Sequence, residues 1–511
     1  MTFLLALSPL LIVLVGILIL KKPAMKVAPL ALLWSFILAL TAFNVQDLPF
    51  AKNVDVLDGL LWKGIKEGLK IGWMVFCAFV ILNILRVTGA IEDVKAMIAR
   101  ISDDRRVQVV IVGLMLPIFL EGAAGAGAPA AIAAPFLVAL GVEPVVAIVI
   151  ALMGDATPCS WGGAGLTTIV GGAALTADGL STVALNSAMV GRIHMFGAMS
   201  MPFLMVAIAF GRKGFRSILP YLCFAGASTG LWMFFLSNFV GAEVTSMGTG
   251  LLSIISSIAY LKIVGVKTPE EFRFRFERAE GARYSAWQAL SPYIYMLILL
   301  PAVRYGVPAL VPNGFKLMCT FGYIVWVDVV IMVCGVLGAI TLGMGLPALW
   351  RIYKETSRSI LPVLLTMGSL LIVAYVMQSP STGMVRLLAE GLAEVAGVLY
   401  PAAAVMIGGG GAFVTGTGLG SNIMFADMHI HAAQTLGANP ITIFAGQNAG
   451  ASLGNMICPN NTVAACATVG RVNEEHAVMR RTFVIFGLIL ALYMTLAMLY
   501  TYALFPNFGQ A

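Results

Sequence analysis

Phe119-Leu-Glu-Gly-Ala-Ala-Gly-Ala-Gly-Ala-Pro129 has a counterpart later in the chain, Phe413-Val-Thr-Gly-Thr-Gly-Leu-Gly-Ser-Asn422. Each run lies in apolar sequence, and each is followed by Leu-Gly-x-x-Pro, at Leu140 to Pro144 and at Leu436 to Pro440. Glycine at this density disfavours continuous helix, since each one costs roughly 1 kcal/mol against alanine. In hydrocarbon the backbone groups so freed need partners, and broken helix survives only against protein or a watery cavity. Two such breaks at matching places in two halves point to the binding site of a transporter.

The surrounding chain fits that setting. Of its 511 residues 60% are hydrophobic and only 11% charged, with a mean hydropathy of +0.95, where a soluble protein carries about 25% charged residues. Apolar stretches such as Phe3–Leu20 and Ile485–Leu499 approach the roughly 20 residues that span a bilayer. Leu4 to Leu20 has no charge before it and Lys21-Lys22 after it, so it reads as a retained first span rather than a cleaved leader. Cys77, Cys159, Cys223, Cys319, Cys334, Cys458 and Cys466 lie almost entirely in apolar sequence, with no spacing that suggests metal or disulfide. The net charge of +7 comes from lysines and arginines in short loops. That is the positive-inside pattern of a membrane protein rather than a nucleic-acid surface.

Spans are expected near 3–20, 28–43, 69–88, 107–120, 144–157, 190–210, 218–240, 248–266, 287–304, 318–342, 359–378, 397–411, 440–456 and 482–504. Basic loops at Lys21–Lys26, Lys95–Arg106, Arg212–Arg216, Lys262–Arg283, Arg351–Arg358 and Arg471–Arg481 belong in the cytoplasm. The longest of them reads as a solvated linker between halves, with an interfacial segment as the alternative.

The duplication extends beyond the glycine runs. Leu61-Trp62-Lys63 recurs as Leu349-Trp350-Arg351, Thr88-Gly89 as Thr382-Gly383, Pro144 as Pro440, and Gly154-Asp155 as Gly454-Asn455. Ile91–Ile101 is basic, whereas its counterpart Val385–Ala396 has no strong basic excess, so the halves should insert with opposite topology. Trp62 and Trp350 would begin amphipathic stretches at opposite membrane surfaces.

The fold expected is therefore an all-α polytopic membrane protein of about 12–14 spans in two inverted repeats with broken helices. Residues 1–53 form N-terminal spans, and 54–211 the first repeat with broken segments near 119–140 and 155–175. Middle spans fill 212–344 with a basic loop at 262–286, and 345–505 is the second repeat, broken near 413–435 and 454–470.

Within this frame Glu121 is the sharpest candidate, because an ionised carboxylate in apolar sequence is expensive. Desolvation favours the protonated form, so Glu121 could carry a coupling proton; the bland alternative is a carboxylate accepting loop amides. Asp155 reads as a proton or cation ligand, or as a helix-terminus residue at the rim of the site. Gly122, Gly125, Gly127, Thr415, Gly416, Thr417, Ser421, Asn422 and Asn460 would bind substrate. Backbone amides at half-helix starts can hold a small carboxylate without a lysine or arginine. His429 and His431 have poor metal spacing and default to a helix end. His194 beside Arg192 receives no role, and Asp328 is a secondary proton candidate. No Gly-Lys-Ser/Thr follows the glycine runs, which disfavours ATP-driven transport, and no converging nucleophile or metal set suggests an enzyme.

These residues resemble the lactate permease family. The likeness lies in Phe119 to Ile132, in Phe413-Val-Thr-Gly, in Gly454-Asn-Met-Ile-Cys-Pro-Asn-Asn461 and in Ala464-Ala-Cys-Ala-Thr-Val-Gly470, and it covers essentially the whole chain. It implies a secondary carrier of the bacterial inner membrane that takes up lactate, glycolate or a related 2-hydroxymonocarboxylate with protons. It also implies a fold of the ion-transporter type working by an elevator motion. The chain departs from the family pattern where Gly418 stands for an aspartate, Asn455 for a lysine and Cys458 for a serine.

The expectation is thus a symporter whose partners are a small organic anion, a coupling proton or sodium ion, and the lipid bilayer. It needs no cofactor, metal or nucleic acid, and a homodimer is its candidate assembly. A sodium-coupled carrier of a sulfonate or dicarboxylate is the alternative.

Overall fold

The computed structural model describes residues 2–20, 22–43, 50–90, 93, 102–123, 128–169, 171–274, 284–306, 310, 326–379 and 381–509. Among them every regular element is helical, and the only β contact is an isolated bridge between Asp104 and Arg273. Among the described residues five helical stretches are long and apolar enough to cross a membrane: Val183–Phe210, Leu219–Phe239, Ala242–Ile263, Glu394–Thr415 and Glu475–Leu504. At 1.5 Å per residue each covers the roughly 30 Å of hydrocarbon.

After helix α1 (Thr2–Leu14) and the helix Ala24–Leu40, one succession of elements occurs twice. In the first half a long helix, α2 (Phe50–Thr88), precedes α3 (Leu116–Ala123), α4 (Ala128–Ala139) and α5 (Pro144–Ala156). A 3₁₀ turn at Cys159–Trp161 then leads to α6 (Gly162–Ile169) and a membrane-length helix, α7 (Val183–Phe210). Between the halves lies α8 (Ala242–Ile263). In the second half α9 (Leu346–Gln378) precedes α10 (Tyr400–Thr415), α11 (Gly418–Leu436) and α12 (Pro440–Gly454). A 3₁₀ turn at Asn455–Ile457 follows, then α13 (Pro459–Thr468) and α14 (Glu475–Leu499).

The long helices differ from expectation. Instead of a span at 69–88 preceded by a separate amphipathic stretch, α2 is one helix of 39 residues, and α9 likewise runs through Trp350 for 33. No proline lies within α2, and a helix satisfies its own backbone, so its charges do not interrupt it. At about 58 Å, α2 is far longer than the hydrocarbon is thick. Its Lys63 Nζ lies 4.5 Å from the Tyr375 ring and its Asn83 Nδ2 donates to Thr356 Oγ1 at 3.1 Å. Residue 63 faces 375 and residue 83 faces 356, so α2 and α9 run antiparallel.

Glycine permits close helix contacts in both halves. A Cβ on Gly154 in α5 would overlap the carbonyl oxygen of Gly113, and a Cβ on Gly454 in α12 would overlap that of Gly409.

The basic loops also depart from a purely solvated reading. Arg106 and Asp104 form a fully buried ion pair at 2.6 Å, and Arg106 Nη1 donates to the carbonyl of Gly214 at 3.1 Å. Phe272 of the linker is buried with the Arg106 guanidinium 4.3 Å from its ring centre, and Arg273 Nε bonds Asp103 at 2.9 Å. The start of the linker is thereby docked on the first half. Residues 275–283 lie outside the described residues.

Candidate functional site

α5 ends at a Thr157-Pro158 step, where proline cannot continue the hydrogen-bond ladder. The chain turns through Cys159–Trp161 and restarts as α6 at Gly162. Asp155 sits in the last turn of α5 and is fully buried, as is Glu121 on α3. The two carboxyl groups adjoin one another, with the Cys159 thiol beside Glu121. Gly162 lies so close to Glu121 Oε1 that it has no room for a side chain. Asp155 accepts from the backbone amide of Ala130 at the start of α4 and from Asn455 Nδ2 at 2.9 Å. Glu121 Oε2 and Asp155 Oδ1 have no donor among the described residues. Two acceptor oxygens side by side are joined only by a proton on one of them.

Asn455 is the residue that the duplicated sequence pairs with Asp155, and the two meet across the halves. Asn455 is itself held by Asn461, whose Nδ2 donates to Asn455 Oδ1 at 2.6 Å and to its carbonyl at 3.1 Å. Donors thus run in one direction, from Asn461 through Asn455 to Asp155.

Further bonds tie the first break to α11 and α12. Ser160 N donates to Ser452 Oγ at 3.1 Å, and Ser452 Oγ donates to the carbonyl of Ala156 at 2.7 Å. Asn448 Nδ2 donates to Thr168 Oγ1 at 2.9 Å, and Asn422 Nδ2 to the carbonyl of Thr167 at 3.2 Å. Ser160 Oγ also bonds His194 Nε2 at 2.8 Å, while His194 Nδ1 meets Tyr493 OH at 3.2 Å. Sequence gives His194 no role and does not mark Ser160, although the Asp-Ala-Thr-Pro-Cys-Ser run at 155–160 marks the turn.

A further break lies between α10 and α11. α10 ends at Gly416, whose φ of +76° is the left-handed conformation that suits glycine. Thr417 then caps α11, its hydroxyl accepting from Gly420 N at 3.0 Å. Thr415 Oγ1 donates to the carbonyl of Thr417 at 2.7 Å, and Ser421 Oγ to that of Gly408 at 2.9 Å. Gln447 Nε2 reaches Ser421 Oγ at 2.9 Å, and its Oε1 lies 2.9 Å from His429 Nε2. His429 Nδ1 meets Tyr400 OH at 2.8 Å, so this histidine is a buried strut joining three helices rather than a helix end. Gly418 N lies against the Cys159 thiol, where the two breaks touch.

The expected site residues therefore divide. Glu121 and Asp155 come together at the crossing of the two halves. Thr415, Thr417, Ser421 and Asn422 are committed to protein partners, and Gly416 supplies the turn. Gly122 packs on the Met247 amide of α8. Asn460 alone among the expected substrate ligands keeps a buried oxygen, Oδ1, without a partner. Gly125, Gly127 and the side chain of Asp328 lie outside the described residues. Among the described residues no group of three His, Cys, Asp or Glu could hold a metal ion.

The family model described as L-lactate permease matches residues 2–319 and 305–505. The glycolate permease GlcA of Escherichia coli is 26% identical over 94% of this chain and 92% of its own length. The L-lactate permease of Salmonella typhimurium is 26% identical over 88% of this chain and 87% of its own. That of Bacillus subtilis is 26% identical over 81% and 82%. Among solved structures, the YdaH transporter of Alcanivorax borkumensis is 16% identical and covers 93% of this chain and 98% of its own, with a TM-score of 0.41, a level at which two chains need not share a fold.

Proposed function

The chain belongs to the L-lactate permease family, and we propose that it imports a small 2-hydroxymonocarboxylate of the lactate or glycolate type together with protons. It is a multi-pass membrane protein, and the bacterial inner membrane is its proposed location. The observation that carries proton coupling is the adjoining pair of buried carboxyls, Glu121 and Asp155. Two carboxylates in one dry site repel strongly, and a shared proton removes one of the charges. A carrier that exposes this pair alternately to each aqueous side would load and release that proton as it moves.

The recurring element order and the antiparallel packing of α2 on α9 support two inverted repeats. The breaks would then move as one body, because α12 is hydrogen-bonded to the first break at several points. That is the mobile element an elevator requires. The substrate carboxylate would lie near the starts of the half-helices, with Asn460 as its nearest uncommitted side chain.

The test is uptake of labelled lactate and glycolate into proteoliposomes with an imposed pH gradient, inside alkaline. Accumulation should follow the gradient and ignore sodium. Uptake indifferent to the pH gradient but accelerated by sodium would overturn proton coupling in favour of a sodium-driven carrier. Non-saturable flux without counterflow would mark a channel.

A further inference from the structure

The orientation of the Asn455 amide is fixed from a backbone atom outward. Asn461 Nδ2 lies 3.1 Å from the carbonyl oxygen of Asn455, an acceptor that cannot turn round, so a nitrogen must stand there. The same nitrogen lies 2.6 Å from the Asn455 side chain, which therefore presents its Oδ1 to it. That leaves Asn455 Nδ2 facing Asp155 Oδ2 at 2.9 Å. Asn461, Asn455 and Asp155 are all buried.

An amide nitrogen can only donate. Asp155 thus receives a donor from Asn455 and a second from the Ala130 backbone. Glu121 has beside it only the Cys159 thiol, a weak donor. Donors to a carboxylate favour its charged form, so two amides hold the charge on Asp155. The proton that the pair shares then belongs to Glu121. Resting on the proton-coupled reading above, we propose that Asn455 is a positioning residue of coupling, which keeps Asp155 ionised and thereby keeps the transferred proton on Glu121. Asn461 acts through Asn455 by fixing which way its amide points.

The two acids then have different tasks. Glu121 gains and loses the proton, while Asp155 is the fixed charge that attracts it. Among the described residues neither acid has a salt bridge that would take over this role. The titratable groups closest to the pair are the thiols of Cys159 and Cys458. Of the other elements packed on α5, α14 commits Arg481 to Glu143 at the opposite end of the helix. His194 of α7 is bonded to Ser160 and Tyr493.

The experiment is the pH profile of labelled lactate exchange in proteoliposomes with equal pH on both faces. Exchange needs Glu121 protonated, so in the unaltered protein it should fall as pH rises past a midpoint. Asn455→Leu keeps the branched shape and removes the donor, which lets Asp155 compete for the proton. The pair then holds the proton more tightly, and the midpoint should move up by about one to two pH units. Asp155→Asn removes the fixed charge and should move the midpoint down by at least about one unit. In the Asp155→Asn background, adding Asn455→Leu should shift it by less than about 0.3 unit, because its route to the proton is gone. A merely structural Asn455 would change the rate of exchange and leave the midpoint in place.

Should Asn455→Leu fail to fold, Asn461→Ala decides, since it frees Asn455 to turn and must also raise the midpoint. The assignment is overturned if either variant exchanges lactate with an unmoved or lowered midpoint. It is equally overturned if the Asn455→Leu shift survives undiminished in the Asp155→Asn background. If exchange by the unaltered protein is absent or independent of pH, the proton-coupled reading fails and this assignment with it. A pH-dependent exchange whose midpoint the variants do not move removes only the assignment.

Discussion

At the first break the chain leaves α5 with Asp155 in its last turn, crosses Pro158 and restarts at Gly162 beside Glu121. At the equivalent passage of the second half it leaves α12 with Asn455, crosses Cys458-Pro459 and restarts beside Asn460. The backbone path is shared while the chemistry is not: two acids stand on one side, and neutral amides on the other. Both passages leave one helix, cross a proline and restart as a shorter helix. Under the proposed coupling the proton chemistry belongs to the first passage, while the second leaves a buried oxygen, Asn460 Oδ1, without a partner among the described residues. Asn455 joins the two by donating to Asp155, so a change of charge in the first copy is felt by a bond anchored in the second.

Removing the acid is the strongest way to break this contrast. Glu121→Gln keeps the shape of the side chain and leaves Asp155 as the remaining acid at the first break. Gradient-driven accumulation of lactate should be lost, while lactate–lactate exchange, which needs no net proton movement, should persist within about ten-fold. Both are read in the same proteoliposomes with and without an imposed pH gradient. Accumulation at the unaltered level would remove Glu121 from the coupling role.

Much of this arrangement is legible in the chain. The Leu-Gly-x-x-Pro repeats fall at the starts of α5 and α12, and Gly154-Asp155 and Gly454-Asn455 fall at their ends. The boundaries of α5 and α12 follow from Pro144 and Pro440, which favour helix starts. What sequence could not supply is which polar side chains are already spent. Thr415, Thr417 and Ser421 look like ligands in a list of hydroxyls, yet each is occupied by a neighbouring backbone group. Nor does local pattern place Leu10 and Val13 against residues more than 350 positions away. That contact depends on how α1 packs, not on its own periodicity. The length of α2 is not legible for a related reason, since charged residues end a hydrophobic span without ending a helix.

A second test sharpens the equivalence of the scaffolds. Gly154→Ala drives a methyl group into the Gly113 carbonyl, and Gly454→Ala drives one into the Gly409 carbonyl. Backbone cannot rotate away as a side chain can, so each substitution should cost about 1–3 kcal/mol. Thermal unfolding of the detergent-solubilised protein should show similar losses for both. A Gly454→Ala variant as stable as the unaltered protein would mean that the close approach is structural in one half only.

The smallest effect concerns the helix starts that precede these crossings. Glu143 caps α5 by accepting from Val145 N and Val146 N, each at 3.0 Å, whereas Asn439 caps α12 by accepting from Ile441 N at 2.9 Å. Partial burial of Glu143 opposes its ionisation, but the two amides, aided by the Arg481 guanidinium, outweigh it and hold the carboxyl below its ordinary value of 4.5. A carboxyl depressed in the folded state contributes stability that is complete above its unfolded value and is lost as pH falls through the folded one. The first cap should therefore weaken in acid while the amide cap of the second half does not. Arg481 and Glu143 are about half exposed, so their ion pair adds little, and the cap itself is worth about 0.5–1 kcal/mol. Glu143→Asn converts the first cap to the chemistry of the second. Between pH 7 and about 3.5 the unaltered protein should lose more melting temperature than Glu143→Asn, by the equivalent of that cap energy. Other acids titrate in both proteins alike, so the difference isolates Glu143; equal losses would show that its charge does not hold the start of α5.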